Sequence, residues 1–169
     1  MEGQAHLTYY QVGLEHTIVS SALYEPHYPH VATFRRELEK WKTYYLEPRI
    51  LMREDVPISE TLGIGPRGEN LAAFLNTLKH RNNALENLNL TLQQLLPTKP
   101  QINVELLKEG RVGLLIEENN LPFSARLISE GTLWIIGLIA AIHPENPAML
   151  IGYEEPREWR SPRPPEDNR

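Results

Sequence analysis

Two strongly apolar segments near the end of the chain, separated by a short polar loop, constrain the fold most. Thr132 to Ile142 is almost wholly apolar and predicts a buried helix. The loop HPENP follows, and Ala148 to Tyr153 predicts a short buried strand that ends at Glu154 and Glu155. Both segments are therefore expected to be buried in the fold.

The rest of the chain predicts further helices and strands. Apolar residues recur at helical spacing in three segments, and β-branched or aromatic residues mark several strands. The predicted helices are Val31–Tyr45, Glu69–His80 and Ala84–Leu96, the predicted hairpin is Ile102–Leu107 with Val112–Glu117, and the further candidate strands are Leu7–Leu14, Thr17–Leu23 and Phe123–Leu127.

Composition sets limits on function. With 169 residues, 41% of them hydrophobic, the chain has the size of one domain. A net charge of -5 gives no general attraction to nucleic acid, and the lack of cysteine excludes disulfides, thiolate metal sites and thiol nucleophiles. No secretion signal is visible, and no apolar run approaches the roughly 20 residues of a membrane-spanning helix. We therefore expect a cytoplasmic protein that does not enter a membrane.

The first segment with chemical potential lies at the start of the apolar helix. Ser129, Glu130, Gly131 and Thr132 stand where a loop becomes a helix. The serine hydroxyl and the backbone N–H groups of a first helical turn can bind an anion. Taken alone, the same residues also fit an ordinary helix cap, which is the more common role of such a serine.

The second segment is the end of the apolar strand. Glu154 and Glu155 follow it directly, and carboxylates at the end of a buried strand are costly unless they have a polar task. One of them could bind a cation while the other positions a water molecule, as in a Walker B motif. The alternative is that the strand leaves the core here and both charges are solvated.

Together the two segments resemble the ABC-like AAA ATPases of the RecF and SMC-related class. That class has a Ser-Asp-Gly-Thr signature at the start of a helix, followed by a strand that ends in Glu-Glu-Pro-Glu. The segment LGIGPRGENLAAFLNTLK also resembles the loop and helix that precede this signature. The likeness covers about Ser21 to Pro156.

The resemblance implies a role for each matching residue. Ser129, Gly131 and Thr132 would contact the γ-phosphate of ATP held by a second subunit in a head-to-tail dimer. Glu154 matches the acidic residue on the Mg²⁺ side, and Glu155 matches the residue that polarises the attacking water. The implied cofactors are ATP and Mg²⁺. The implied fold is α/β, with a partial P-loop NTPase-like sheet, that is, an ABC-type nucleotide-binding domain with a helical insertion.

The chain also departs from this class. Glu130 replaces the usual aspartate, and Trp134 stands where a basic residue is common. No G-x-x-x-x-G-K-[ST] sequence, the loop that grips the phosphates, occurs in the 169 residues. We therefore expect an incomplete ATPase-like domain over 1–156, with a mainly helical insertion at about 31–97 and the signature and Walker B part at 98–156.

The last residues, 157–169, are basic and rich in proline, which predicts a disordered tail. The class usually continues Glu-Asn-Gly-x-His-Pro after the strand, whereas this chain reads REWRSP. One set of codons for these residues encodes the usual motif in a neighbouring frame. A frameshift after Pro156 is therefore a hypothesis that the genomic DNA would test.

Three hypotheses about function follow from these residues. The chain is an ATPase of this class that is inactive alone, or it is the accessory half of a split ATPase that completes a partner's site, or it is a binding protein without catalysis. The expected partner is a second copy or a P-loop-bearing chain. DNA is a partner of related proteins, but no residue here selects it.

Two other motifs are weaker. Gly63, Gly65 and Gly68 spell the dinucleotide-binding pattern G-x-G-x-x-G, but the preceding REDVPISET is too polar for the required strand. These glycines are better explained by a tight turn before a helix. The six histidines show no spacing typical of a zinc site.

Overall fold

The computed structural model describes residues 17, 19–20 and 28–154. The predicted strand Leu7–Leu14, most of Thr17–Leu23, Glu155 and the predicted tail 157–169 lie outside the described residues. The chain divides into two compact units, Met1–Lys40 and Trp41–Arg169.

In the first unit, helix α1 spans Pro29–Glu39. Proline suits the first helical turn because its missing N–H would have no intrahelical partner there. The helix ends at Lys40, whose N–H donates back to the carbonyl of Glu37. The predicted helix Val31–Tyr45 was therefore too long. Residues Trp41–Tyr44 form strand β1 instead, as their aromatic and β-branched side chains favour.

The second unit contains an antiparallel sheet built around one long strand. Strand β4 (Arg111–Glu118) pairs from Arg111 to Glu117 with β3 (Gln101–Leu107), and this confirms the predicted hairpin. The other side of β4 pairs with the short strands β2 (Val56–Pro57) and β5 (Leu121–Ser124). The predicted strand at Phe123–Leu127 is thus only partly right, because a 3₁₀ turn begins at Ala125.

Three helices pack in the same unit, and all were predicted. They are α2 (Leu71–Lys79), α3 (Ala84–Leu95) and α4 (Glu130–Ala141). Helix α2 is buried from Leu71 to Leu78, and Phe74 in its middle has no solvent-exposed surface. The core therefore lies where α2 meets α3, α4 and the antiparallel sheet. Its largest fully buried side chains also include Ile64, Leu88, Leu92, Ile102, Ile116, Leu133 and Ile136.

A second, smaller sheet joins distant parts of the sequence. Strand β6 (Leu150–Tyr153) pairs in parallel with β1, and Trp41 lies opposite Leu150. The predicted strand is present but is not buried as expected, since Leu150 is 52% and Tyr153 is 38% exposed. Within the described residues β1 is its only partner strand. Taken over the described residues 28–154, the structure is therefore mixed α/β, with four α-helices and two sheets.

The glycine-rich loop before α2 is a tight turn, as predicted. Gly65 and Gly68 have φ angles of 76° and 79°, in the left-handed region that glycine tolerates. A Cβ on Gly68 would also lie 2.6 Å from Cγ of Met52. The backbone conformation and close packing of this loop thus explain the glycines at positions 65 and 68.

Candidate functional site

Helix α4 begins at Ser129, which is its N-cap. The serine backbone is extended, its Oγ accepts a hydrogen bond from the Thr132 N–H at 3.1 Å, and it lies 2.8 Å from Oγ1 of Thr132. The first intrahelical bond joins the Leu133 N–H to the Ser129 carbonyl at 3.1 Å. The N–H groups of Glu130 and Gly131 therefore have no acceptor within the helix. The expected cap is present, and its first turn is largely exposed.

Gly131 is exposed, and nothing inside the fold requires a glycine there. A Cβ built on Gly131 would meet no atom within 4 Å, and its φ is not positive. Gly137, one and a half turns further along α4, is different: a Cβ there would lie 2.6 Å from Cε of Met52. Glycine in a helix costs about 0.5–1 kcal/mol relative to alanine. Packing around Gly131 does not require a glycine, because a side chain there would meet no neighbouring atom.

Arginines from the segment after β1 hold the start of α4. The Arg49 Nε donates to both carboxylate oxygens of Glu130, at 3.1 and 3.0 Å. The Arg53 guanidinium donates to the carbonyls of Ala125 and Arg126 at 2.9 and 2.8 Å. The turn that leads into Ser129 is thereby tied to residues about 75 positions earlier in the chain, and neither arginine was predicted as part of the site.

Trp134, which stands where a basic residue is common in the resembling class, lies half-buried against the hydrophobic core. Its position on α4 therefore serves packing in this chain.

Glu154 lies at the carboxyl end of the parallel strands. Its N–H donates to the Tyr44 carbonyl at 2.9 Å and so continues the ladder between β1 and β6. The residue is exposed. Ligands of parallel α/β sheets bind outside the carboxyl ends of the strands, which is where this carboxylate stands.

A polar network connects α4 with the two parallel strands. The buried Asn146 donates from Nδ2 to the Tyr44 hydroxyl at 2.8 Å and to the Ala141 carbonyl at the end of α4. The Tyr153 hydroxyl donates to the Leu138 carbonyl at 3.3 Å, and the rings of Tyr44 and Tyr153 lie 5.8 Å apart. Burial raises the pKa of Tyr153 to about 12, with a smaller contribution from Tyr44. These bonds fix β6 against α4.

His143 follows α4 and stands in the same network. Its Nδ1 accepts a hydrogen bond from the Glu145 N–H at 3.2 Å, and its ring meets Phe74 edge-on at 6.2 Å. Burial lowers the pKa of His143, although a hydrogen bond to the Ala84 backbone and the charge of Glu145 act in the opposite direction. Burial thus favours the neutral form of this imidazole within the turn.

In residues 28–154, no group of three or more histidine, aspartate and glutamate side chains could hold a metal ion. Mg²⁺ in nucleotide sites is commonly bound by one or two carboxylates together with phosphate oxygens and water. An exposed Glu154 fits that donor set only when a nucleotide supplies the rest.

The structure brings Ser129, Gly131 and Thr132 together on one helical turn. It places Glu154 at the end of β6, and Glu155 is not described. Asn146, Arg49 and Arg53 were missed, because single polar residues whose partners are far away in sequence leave no periodic signal.

Within the part of the chain that is described, no helix is long and apolar enough to cross a membrane. Comparison with known proteins adds no relative: no family model, no curated protein and no solved structure matches this chain.

Proposed function

We propose that this chain is an ATPase of the ABC-like AAA type related to RecF and SMC proteins, and that it contributes the signature turn and the acidic strand end of an ATP site. The P-loop, which these 169 residues do not contain, is brought by a partner chain. The proposed fold is a partial P-loop NTPase-like sheet with a helical insertion. This assignment is more specific than the mixed α/β architecture described above.

The observation that carries the proposal is the exposed glycine in the first turn of α4. Gly131 has no neighbour within 4 Å of a built Cβ, so the missing side chain is explained best by a group that approaches from outside the chain. Glycine permits a ligand to come close to the backbone. With the N–H groups of Glu130 and Gly131 lacking intrahelical acceptors, the matching ligand is an anion such as a phosphate.

The side chains divide the work as follows. Ser129 and Thr132 offer hydroxyl groups 2.8 Å apart beside the same turn. Glu154 is the carboxylate on the side of the Mg²⁺ that accompanies ATP, and Glu155 polarises the attacking water. Mg²⁺ itself would neutralise phosphate charge during hydrolysis. Without a P-loop, the chain alone neither grips ATP firmly nor hydrolyses it.

The test is Mg²⁺-dependent ATP hydrolysis by the complex recovered on a tagged copy of the chain, compared with the isolated chain. Hydrolysis is expected in the complex only, and Gly131→Leu should abolish it by blocking the turn. Asn87→Leu is the matched control, because it adds the same exposed leucine side chain to α3, outside the signature turn. Firm ATP binding by the isolated chain, measured by calorimetry, would contradict the proposal.

A further inference from the structure

The turn that presents Ser129 has little regular structure of its own. Residues Ala125–Leu127 form one 3₁₀ turn, which is joined to Ser129 by Ile128 alone. Its internal bonds are few: the Ser124 Oγ accepts from the Arg126 N–H at 3.4 Å, and the Ile128 N–H donates to the Ala125 carbonyl at 3.3 Å. A segment of this kind needs contacts from elsewhere to hold one conformation.

Side-chain hydrogen bonds link this turn and the start of α4 to one stretch, Arg49–Asp55. Arg53 is half-buried and donates to three carbonyls, from Nε to Pro48 at 2.7 Å and from Nη1 to Ala125 and Arg126. Arg126 in turn lies 3.3 Å from Oδ2 of Asp55.

The same stretch is anchored beneath the helix that it supports. Met52 is buried, and its Cε would lie 2.6 Å from a Cβ on Gly137 of α4, so the two pack in direct contact. Leu46, which is also buried, would lie 2.9 Å from that Cβ. The arginines therefore project from a segment whose position relative to α4 is fixed by close packing.

We propose that Arg53 is a positioning residue for the Ser129–Thr132 turn and that Arg49 supports it from the other side through Glu130. The inference rests on the proposed function, since the turn matters only if it meets a ligand. A guanidinium suits this role because its planar fork donates in several fixed directions at once, whereas a lysine ammonium is a single point charge. Neither arginine needs to touch the nucleotide.

Two measurements on the same variants test the inference. Arg53→Gln is expected to speed hydrogen exchange of the Ile128 and Thr132 N–H groups by about ten-fold, because hydrogen bonds from a charged donor are lost. In the complex, the variant should lower kcat for ATP hydrolysis more than it raises KM, since a displaced turn fails mainly in the transition state. Arg53→Lys should recover only part of kcat.

Arg49→Gln guards against a folding artefact. Its ion pair is exposed and contributes little to folding, yet kcat should still fall. Arg81→Gln is the control, because Arg81 pairs with Glu60 and Glu145 away from the turn. It should leave exchange at Ile128 and Thr132 unchanged.

The two ideas fail in different ways. If the wild-type complex hydrolyses ATP but Arg53→Gln leaves both exchange and kcat unchanged, the positioning role is wrong and the proposed function stands. A full recovery of kcat by Arg53→Lys would likewise overturn the argument from the guanidinium fork. If the wild-type complex lacks ATP hydrolysis, the proposed function is wrong, and the positioning role fails with it.

Discussion

The two sheets of the second unit differ in how far the described residues, 28–154, complete them. In the antiparallel sheet, the buried Asn89 pairs with the backbone of Ile102 on the outer edge of β3, accepting from its N–H at 2.6 Å and donating to its carbonyl at 3.0 Å. In the parallel sheet, Trp41 and Leu150 lie opposite each other and are 54% and 52% exposed. In the antiparallel sheet, a side chain of the same unit satisfies backbone groups on the edge at Ile102. The parallel sheet instead exposes apolar side chains to solvent.

This difference separates the region expected to dominate stability from the strand pair that carries Glu154. Parallel strands in α/β proteins are normally covered on both faces, so the pair β1–β6 has the character of a sheet that other structure completes. Glu154 lies at the end of this pair. The antiparallel sheet and α2 contain most of the fully buried side chains and are expected to dominate the free energy of unfolding.

The largest expected effect compares one isoleucine from each sheet. Ile116 in β4 is fully buried, and Ile116→Ala should lower the free energy of unfolding by about 2–5 kcal/mol through lost burial and a cavity. Ile151 in β6 is half-buried, and Ile151→Ala should cost about 1 kcal/mol. Urea unfolding measures both values. Equal costs would show that the two sheets do not differ in the way described.

The next effect compares two buried asparagines. Asn89→Ala leaves the Ile102 N–H and carbonyl without their side-chain partner and should cost about 1–3 kcal/mol of global stability. Asn146→Ala should mainly speed hydrogen exchange of the Glu154 N–H, because it removes the bond that holds Tyr44. Asn87→Ala, at an exposed position of α3, is the control and should change neither. A global loss for Asn146→Ala with no local effect would contradict this separation.

A smaller effect tests the helix that lies between these regions. Gly131→Ala should raise the free energy of unfolding by about 0.5 kcal/mol, because alanine favours the helix and the added methyl meets no neighbour. Gly137→Ala is the matched change and should destabilise, since its methyl would press on Met52. Thermal unfolding of the two variants gives the comparison. A loss of stability in Gly131→Ala would mean that the glycine has a structural reason within the chain.

The smallest expected effect is a dependence on pH. Burial lowers the pKa of His143, so its stabilising contribution is present above the unfolded-state value of 6.5 and is lost as the pH falls through the lower folded-state value. His143→Gln should remove this part of the acid-side slope in unfolding free energy. Glu145 and Arg81 face the same turn and form an ion pair with each other. An unchanged slope in the variant would show that the imidazole does not contribute.

Elements whose apolar residues follow a clear period were predicted well from the sequence. The hairpin of β3 and β4 and the helices α2, α3 and α4 all appear close to their expected bounds. The boundary between α1 and β1 was missed because Trp41 and Tyr45 continue the helical spacing of Phe34 and Leu38. Residues from Trp41 onward form a strand because Trp41 pairs with Leu150. These two residues are too distant in sequence for a local pattern to reveal their pairing.

The candidate site was predictable only in part. Ser129 could be predicted as a helix cap because its partner, Thr132, is only three residues away. Arg53 and Asn146 could not be found in this way, since their bonds to Ala125 and Tyr44 depend on the folded arrangement. The exposure of β6 was also unexpected. The sequence of an apolar strand does not show whether other strands and helices cover it.

The most direct measurement is labelling with an ATP analogue that carries a photoreactive group on its γ-phosphate, applied to the complex and followed by mapping of the adducts. The account predicts adducts on the peptide that contains Ser129 and Gly131, with Mg²⁺ and a P-loop-bearing partner present, and none on the isolated chain. Adducts confined to the partner, or equal labelling of Gly131→Leu, would contradict the claim that this turn meets the phosphates of ATP.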